Sequence, residues 1–307
     1  MSYTSQKATL KIPINTRLPD FVIIGAQRSG SAFLQALLHQ HPQIHILDSP
    51  KEMHFFNRSV DRFDDYTAFF NTTIADKKMV GERSPNYFDM PKARIEYMKK
   101  VLPDAKLVVV LREPITRAWS HALMELSNYQ HKRLTKRDTK NALLHIGSIR
   151  NTSRTDYVTL LSNWLVHYDR SQIFILFQEE LMRQPTSVLK KLYAFLVVKD
   201  WLPDTIPEQK FNQHRLSIPR TAIWFLQRRY RHLPEQLQAL NIYIPKSWQR
   251  REAQLPLWRK CQAWLWIVPR NWLFNWTYAL YKKRKEDRMP VPEVKFEKVE
   301  VDMGHES

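Results

Sequence analysis

The chain has 307 residues, 43% hydrophobic and rich in aromatics, which is enough to bury a sizeable core and excludes a mainly disordered protein. One cysteine, Cys261, excludes an internal disulfide framework and a thiolate zinc cluster, and it fits a reducing compartment. A net charge of +18 points to an anionic partner (phosphate or sulfate groups, nucleic acid, an acidic glycan or an anionic membrane face) or to a solvated basic surface with no specific ligand.

Residues 1–20 contain no apolar stretch of the kind a secretory leader needs, and no run of about 18 uncharged apolar residues occurs anywhere. The expectation is a cytoplasmic protein. Strand-like runs follow at 21–24, 44–47, 78–80, 106–111 and 173–177. Helix-period segments lie between them at 32–41, 66–70, 93–101, 114–127, 157–168 and 185–197. This alternation predicts an α/β fold, a central mostly parallel sheet covered on both faces. Residues 130–154 are polar and basic, and they read as a long loop or lid. Beyond 206 the alternation stops. A basic helix is expected over 219–232, and six of the ten tryptophans fall between Trp248 and Trp276, ahead of a basic run. The last twenty residues read as a frayed polar tail. The boundaries drawn are 1–19 for an extension, 20–206 for the α/β domain, 207–287 for a helical, basic, Trp-rich part and 288–307 for the tail.

Two of the five glycines, Gly25 and Gly30, stand in the seven-residue turn after the first predicted strand of the sheet. Backbone N–H groups at a helix start point outward unpaired, and glycine lets an anion approach them. Arg28 adds a charge, and Ser29 and Ser31 add hydroxyls. Gly25-x4-Gly30-Ser31 is P-loop-like, but it lacks the lysine that reaches the outer phosphates of a nucleoside triphosphate. A second turn repeats the plan. The buried run 106–111 ends at Arg112, Pro114 opens a helix, and Ser120 follows a little over two turns in. Arg112 and Ser120 can reach one tetrahedral anion, with Arg117 pointing elsewhere, toward an ion pair. Two anion sites at two strand ends imply a ligand with two separated anionic groups.

On these residues the chain resembles the sulfotransferases that use 3′-phosphoadenosine 5′-phosphosulfate (PAPS). The first loop is similar to their 5′-phosphosulfate loop, and Leu111-Arg112-x-Pro114-x2-Arg117-x2-Ser120 to their 3′-phosphate motif. "SPKEMHFF" (49–56), "GERSPNYF" (81–88) and the helix–strand–helix stretch 157–196 resemble segments of the heparan-sulfate-type and bacterial carbohydrate enzymes. The resemblance implies a P-loop-like three-layer fold with a helical basic and aromatic C-terminal extension. It implies sulfonate transfer from PAPS, without a metal, to a hydroxyl or amine of a carbohydrate or other hydroxylated metabolite.

By that resemblance Arg28 bridges the sulfonate and the leaving 5′-phosphate. Gln27, Ser29, Gly30, Ser31 and Ala32 surround the 5′-phosphate, Arg112 and Ser120 hold the 3′-phosphate, and Tyr157 lines the nucleotide site. Glu52 matches the general base. His54 shares its face if 51–56 is extended, as a supporting contact or the competing base. Arg83 stands where "EKSPAYF"-like segments carry lysine. The heparan enzymes' Lys-Gly-Arg donor-closing loop is missing, and Arg215, or Arg220, stands roughly in its place. The aromatic, basic stretch 258–285 either docks on a membrane surface, near a lipid-linked acceptor, or packs on the core. Nucleic acid is not an expected partner. Two other classes remain open at this point: a P-loop-type phosphotransferase and a non-catalytic basic membrane-binding protein.

Overall fold

A computed structural model describes residues 9–13, 16–47, 52–58, 63–71, 78–131, 133–203, 205–207, 216–248, 254–261, 267 and 291–297. Strands β1 (Thr9–Pro13) and β2 (Phe21–Gly25) lead into helix α1 (Ser31–Leu38) and β3 (Ile44–Ile46). Next come α2 (Phe63–Asn71), β4 (Met79–Arg83), α3 (Lys92–Val101), β5 (Lys106–Leu111) and α4 (Pro114–Gln130). Helices α5 (Thr139–Ile146), α6 (Ile149–Ser153) and α7 (Tyr157–Leu165) precede β6 (Ile173–Phe177), α8 (Gln178–Arg183) and α9 (Pro185–Leu196). The C-terminal part supplies α10 (Arg220–Arg229), α11 (Leu233–Ala239) and β7 (Glu293–Glu297).

Five strands form one sheet in the order β3-β4-β2-β5-β6, every pair parallel. Its central strands β2 and β5 are apolar without alternation because both faces are covered. Phe21, Ile23, Val108 and Val110 face α1, α8 and α9, while Val22, Ile24, Leu107, Val109 and Leu111 face the opposite core with α3 and α7. The expected three-layer α/β fold is the one observed. After β2 the chain moves toward one edge of the sheet, and after β4 it crosses to β5 on the other side of β2. The C-terminal ends of β2 and β5 therefore flank a topological switch point, where open α/β sheets bind ligands.

Residues 130–154 differ from the expected loop. Apart from Lys132, which lies outside the described residues, they continue α4, make a short 3₁₀ turn at Lys136–Asp138 and form α5 and α6. The polar surface conceals a thin apolar stripe: Leu134, Ala142 and Ile146 are buried against Ala118, Ala122, Leu126 and Trp224 of α4 and α10. Side chains cap the pieces, with Asp138 accepting from Thr135 N–H (2.8 Å) and Ser148 from Asn151 N–H (3.3 Å).

The polar tail also differs. Within it, β7 pairs in parallel with β1, Thr9 opposite Glu293, closing over the buried Ile12. Lys11 Nζ lies 2.9 Å from Glu297 across this ladder. Trp248, the first tryptophan of the aromatic stretch, is buried. It packs edge-on against Phe177 at 5.4 Å and beside Tyr157 at 6.1 Å. No helix among the described residues is long and apolar enough to cross a membrane.

Candidate functional site

β2 ends at Gly25, where a Cβ would stand 2.5 Å from Phe88 Cβ, so only glycine fits. The chain then turns. Ser29 N–H donates to the Ala26 carbonyl (3.2 Å), Arg28 adopts φ 69° and Gly30 φ 95°. Such a φ on a non-glycine residue costs on the order of 1 kcal/mol and persists only where the surroundings impose it. Helical bonding starts with Phe33 N–H to the Gly30 carbonyl (3.0 Å). The N–H groups of Ser31 and Ala32 precede that first bond and are left for a ligand. Ser29 departs from expectation: its N–H is spent inside the turn, and the residue is fully buried beneath the loop. Its hydroxyl has no hydrogen-bond partner at ordinary distance, only a weak interaction with the Tyr157 phenol.

The second turn meets the first directly. Arg28 Nε donates to Ser120 Oγ (3.1 Å), and Arg112 Nη1 donates to the Arg28 carbonyl (3.0 Å). Arg112 Nε is held by Thr116 Oγ1 at 3.2 Å. Glu113 caps α4 by accepting from Thr116 N–H (2.8 Å), and its own N–H donates to Glu179 (2.8 Å). Tyr157 does not line the site as expected. It is fully buried behind the wall, where its hydroxyl donates to the Arg112 carbonyl (2.8 Å). Arg117 is fully buried as well and, against expectation, finds neutral acceptors rather than an ion pair: Thr155 Oγ1 (2.9 Å), the Asn151 carbonyl (2.8 Å) and side-chain oxygen, and the Gln27 carbonyl (3.5 Å).

Burial lowers the pKa of Arg28, and the Arg117 charge lowers it further. Arg28 forms no ion pair with a carboxylate among the described residues. The Arg112 pKa is also lowered by burial, against partial compensation from Glu179. An anion in this place relieves a concentration of positive charge that the protein itself leaves unneutralised.

Glu52 stands at the other end. Its Oε1 lies 3.4 Å from Arg83 Nη1, while Oε2 accepts from Asn86 Nδ2 (3.0 Å) and faces His54 Nε2 (3.0 Å). Burial pushes the Glu52 pKa up, but the His54 hydrogen bond and the Arg83 charge outweigh it and hold the carboxyl below its usual range. Glu52 and His54 do meet, though not through an extended strand: His54 has φ 57°, which curls its ring back to the carboxylate. Arg83 Nε donates to Gln35 Oε1 (2.6 Å), so α1 aims the guanidinium.

A cleft of about 860 Å³ joins both ends. Gln27, Arg28, Gly30, Ser31, Ala32, Glu52, Arg83, Arg112 and Ser120 line it; Ser29 and Tyr157 are buried and do not, and neither does His54. Arg215 lies outside the described residues. Arg220 donates to the Gln254 carbonyl (3.1 Å) in an exposed position off the cleft. The sequence reading missed the apolar wall of Phe33, Met182, Leu216 and Ile218. Its legible signal was Phe33 and Ala36 on the outward face of a helix at the loop. Also missed was Arg154, which pairs with Asp89 (2.9 Å) and hydrogen-bonds the Gln27 side chain, tying the supposed lid to the loop.

Residues 18–215 match the family model described as "Sulfotransferase domain", well over half of the chain. The chain belongs to the sulfotransferase family. Over 202 residues this sulfotransferase is 29% identical to heparan sulfate glucosamine 3-O-sulfotransferase 3B1 of Homo sapiens, covering 61% of this chain and 48% of that one. Over 221 residues it is 30% identical to bifunctional heparan sulfate N-deacetylase/N-sulfotransferase 1 of Caenorhabditis briggsae, covering 64% and 24%. The sulfotransferase thus spans about half the length, or less, of these curated relatives. Among solved structures, a sulfotransferase from Alicyclobacillus acidocaldarius superposes with a TM-score of 0.60 at 26% identity, covering 76% of this chain and 99% of that one.

Proposed function

We propose that this sulfotransferase transfers a sulfonate group from PAPS to a hydroxyl of a carbohydrate acceptor. The observation that carries the reading is Arg28: half-buried, without a carboxylate partner among the described residues, and bonded to Ser120 where two anion cradles meet. The residues present suit the donor. The Ser31 and Ala32 N–H groups take the 5′-phosphate, Arg112 and Ser120 take the 3′-phosphate, and the Phe33, Leu216 and Ile218 wall takes the base. PAPS supplies an activated sulfonate whose leaving group is the 3′,5′-bisphosphate.

Glu52, kept ionised below its usual pKa range, accepts the proton of the attacking hydroxyl. Arg28 balances charge that develops on the 5′-phosphate oxygen as the sulfur–oxygen bond breaks. Arg83 lines the cleft beside Glu52 and adds a positive charge to that end of it. A carbohydrate acceptor is supported by the two relatives, whose names both specify heparan sulfate. Membrane contact through 258–285 rests on the sequence, with Trp258 exposed and the Arg259 guanidinium 5.0 Å from its ring; the rest of the segment, apart from 259–261 and 267, lies outside the described residues. The cytoplasmic reading rests on a lone, exposed Cys261.

The test is calorimetric titration with the 3′,5′-bisphosphate and with 5′-AMP in EDTA, beside transfer of radiolabelled sulfonate from PAPS to desulfated and N-sulfated glucosamine oligosaccharides. Preference for the bisphosphate and label on an oligosaccharide are expected. Equal binding of the two nucleotides would overturn the donor assignment, and labelling of none of the sugars would overturn the acceptor class.

A further inference from the structure

The two oxygens of Glu52 are held differently. Oε2 lies 3.0 Å from both Asn86 Nδ2 and His54 Nε2, while among the described residues Oε1 has only the longer 3.4 Å approach of Arg83. Glu52 and Arg83 line the cleft; Asn86 and His54 do not. The carboxylate is therefore fastened from behind through one oxygen and presents the other to the substrate side. A carboxylate only accepts hydrogen bonds, so the Asn86 amide must turn its NH₂ toward it.

Asn86 is well placed to aim a side chain. It sits in the turn after β4, where Tyr87 N–H donates to the Ser84 carbonyl and Phe88 N–H to the Ile24 carbonyl, both at 2.9 Å. Ser84 Oγ in turn accepts Met53 N–H (3.2 Å), so the 52–56 segment and the 84–88 turn are stitched together at backbone level.

We propose that Asn86 is a positioning residue that fixes the rotation of the Glu52 carboxylate and makes Oε1 its proton-accepting oxygen. Holding Oε2 in two hydrogen bonds leaves the free lone pairs on the oxygen that faces the cleft. The inference rests on Glu52 being the base. The amide donor stabilises the ionised carboxylate, so its removal raises the pH at which Glu52 titrates.

The experiment is carbon-13 NMR titration of the full chain labelled at glutamate side-chain carboxyls, with Glu52→Gln assigning the signal. Wild type is compared with Asn86→Ala and with the isosteric Asn86→Asp. An upward move of the Glu52 midpoint by about half a pH unit or more in Asn86→Ala, and more in Asn86→Asp, is expected. Binding of the 3′,5′-bisphosphate should stay within about twofold of wild type, since Asn86 touches neither anion cradle. A Glu52 midpoint at the wild-type pH in both variants overturns the proposal. Loss of bisphosphate binding in both also overturns it, by assigning Asn86 to the support of the loop. Failure of the underlying reading looks different: Glu52→Gln would keep transferring sulfonate whatever the titrations show.

Discussion

Arg28 Nε and Ser120 Oγ lie 3.1 Å apart although 92 residues separate them in sequence. One comes from the loop after β2 and the other from the second turn of the helix after β5, so neighbouring parallel strands bring together what the chain keeps distant. The cation assigned to the sulfonate and the hydroxyl assigned to the 3′-phosphate are in contact, and a bound donor must draw them onto its own oxygens.

Replacing Arg112 with alanine should weaken the 3′,5′-bisphosphate by roughly 30-fold, about 2 kcal/mol, because a charge-assisted contact is lost. Binding of 5′-AMP should fall much less. Calorimetry on both ligands reads the difference. Arg112→Lys should recover only part of it, since lysine cannot hold Thr116 and a phosphate in one planar fork.

Arg117 acts on folding more than on binding. Its removal strands the Asn151 side chain, the Asn151 carbonyl and Thr155 in the interior. Arg117→Met should cost about 3 kcal/mol or more in urea unfolding, as expected for orphaned buried polar groups. Equal stability of the variant would contradict the assignment.

Gly25→Ala should destabilise the chain by about 1–3 kcal/mol, since the added methyl collides with Phe88 Cβ and finds no flexible neighbour to move aside. A lowered melting temperature checks this.

Glu82 sets a pH dependence. It is fully buried on β4, and burial raises its pKa to about 8 despite opposing interactions with Tyr87 and Tyr66. The folded state therefore binds a proton that the unfolded state, titrating near 4.5, has already released. This contribution is complete below pH 4.5 and is lost as the pH rises toward 8 and above. Glu82→Gln should flatten the fall in stability across that window and exceed wild type at pH 8 by about 1 kcal/mol or more. Urea midpoints at pH 5.5 and 8 measure it.

Much of the fold was legible because the burial of β2 and β5 on both faces leaves an unmistakable apolar run, as in Leu107–Leu111. The two turns that frame the cleft were legible because Gly25, Arg28 and Gly30 follow the end of one buried strand and Arg112 the end of another, with Ser120 on the helix after it, where the periodicity changes. The helices of 130–154 were hidden because Leu134, Ala142 and Ile146 form too narrow a stripe to stand out among basic neighbours. His54 reached Glu52 by a left-handed backbone that no spacing rule foresees. Gln35, which aims Arg83, did leave a trace: a polar residue on the buried face of an otherwise apolar helix. Asn86 left no such trace, because its partner becomes apparent only once the turn is closed in space.

The β1–β7 ladder has a bearing on how the chain is made. Lys11 and Glu297 stand 286 positions apart, so β1 waits through the synthesis of the whole intervening stretch before β7 can pair with its backbone groups. Until then Leu10 and Ile12 remain uncovered on an open edge, a time when a newborn chain is most prone to stick to others. A protein cut short near residue 290 would never leave that condition. Its yield in soluble form, rather than its turnover, would be the first property to suffer.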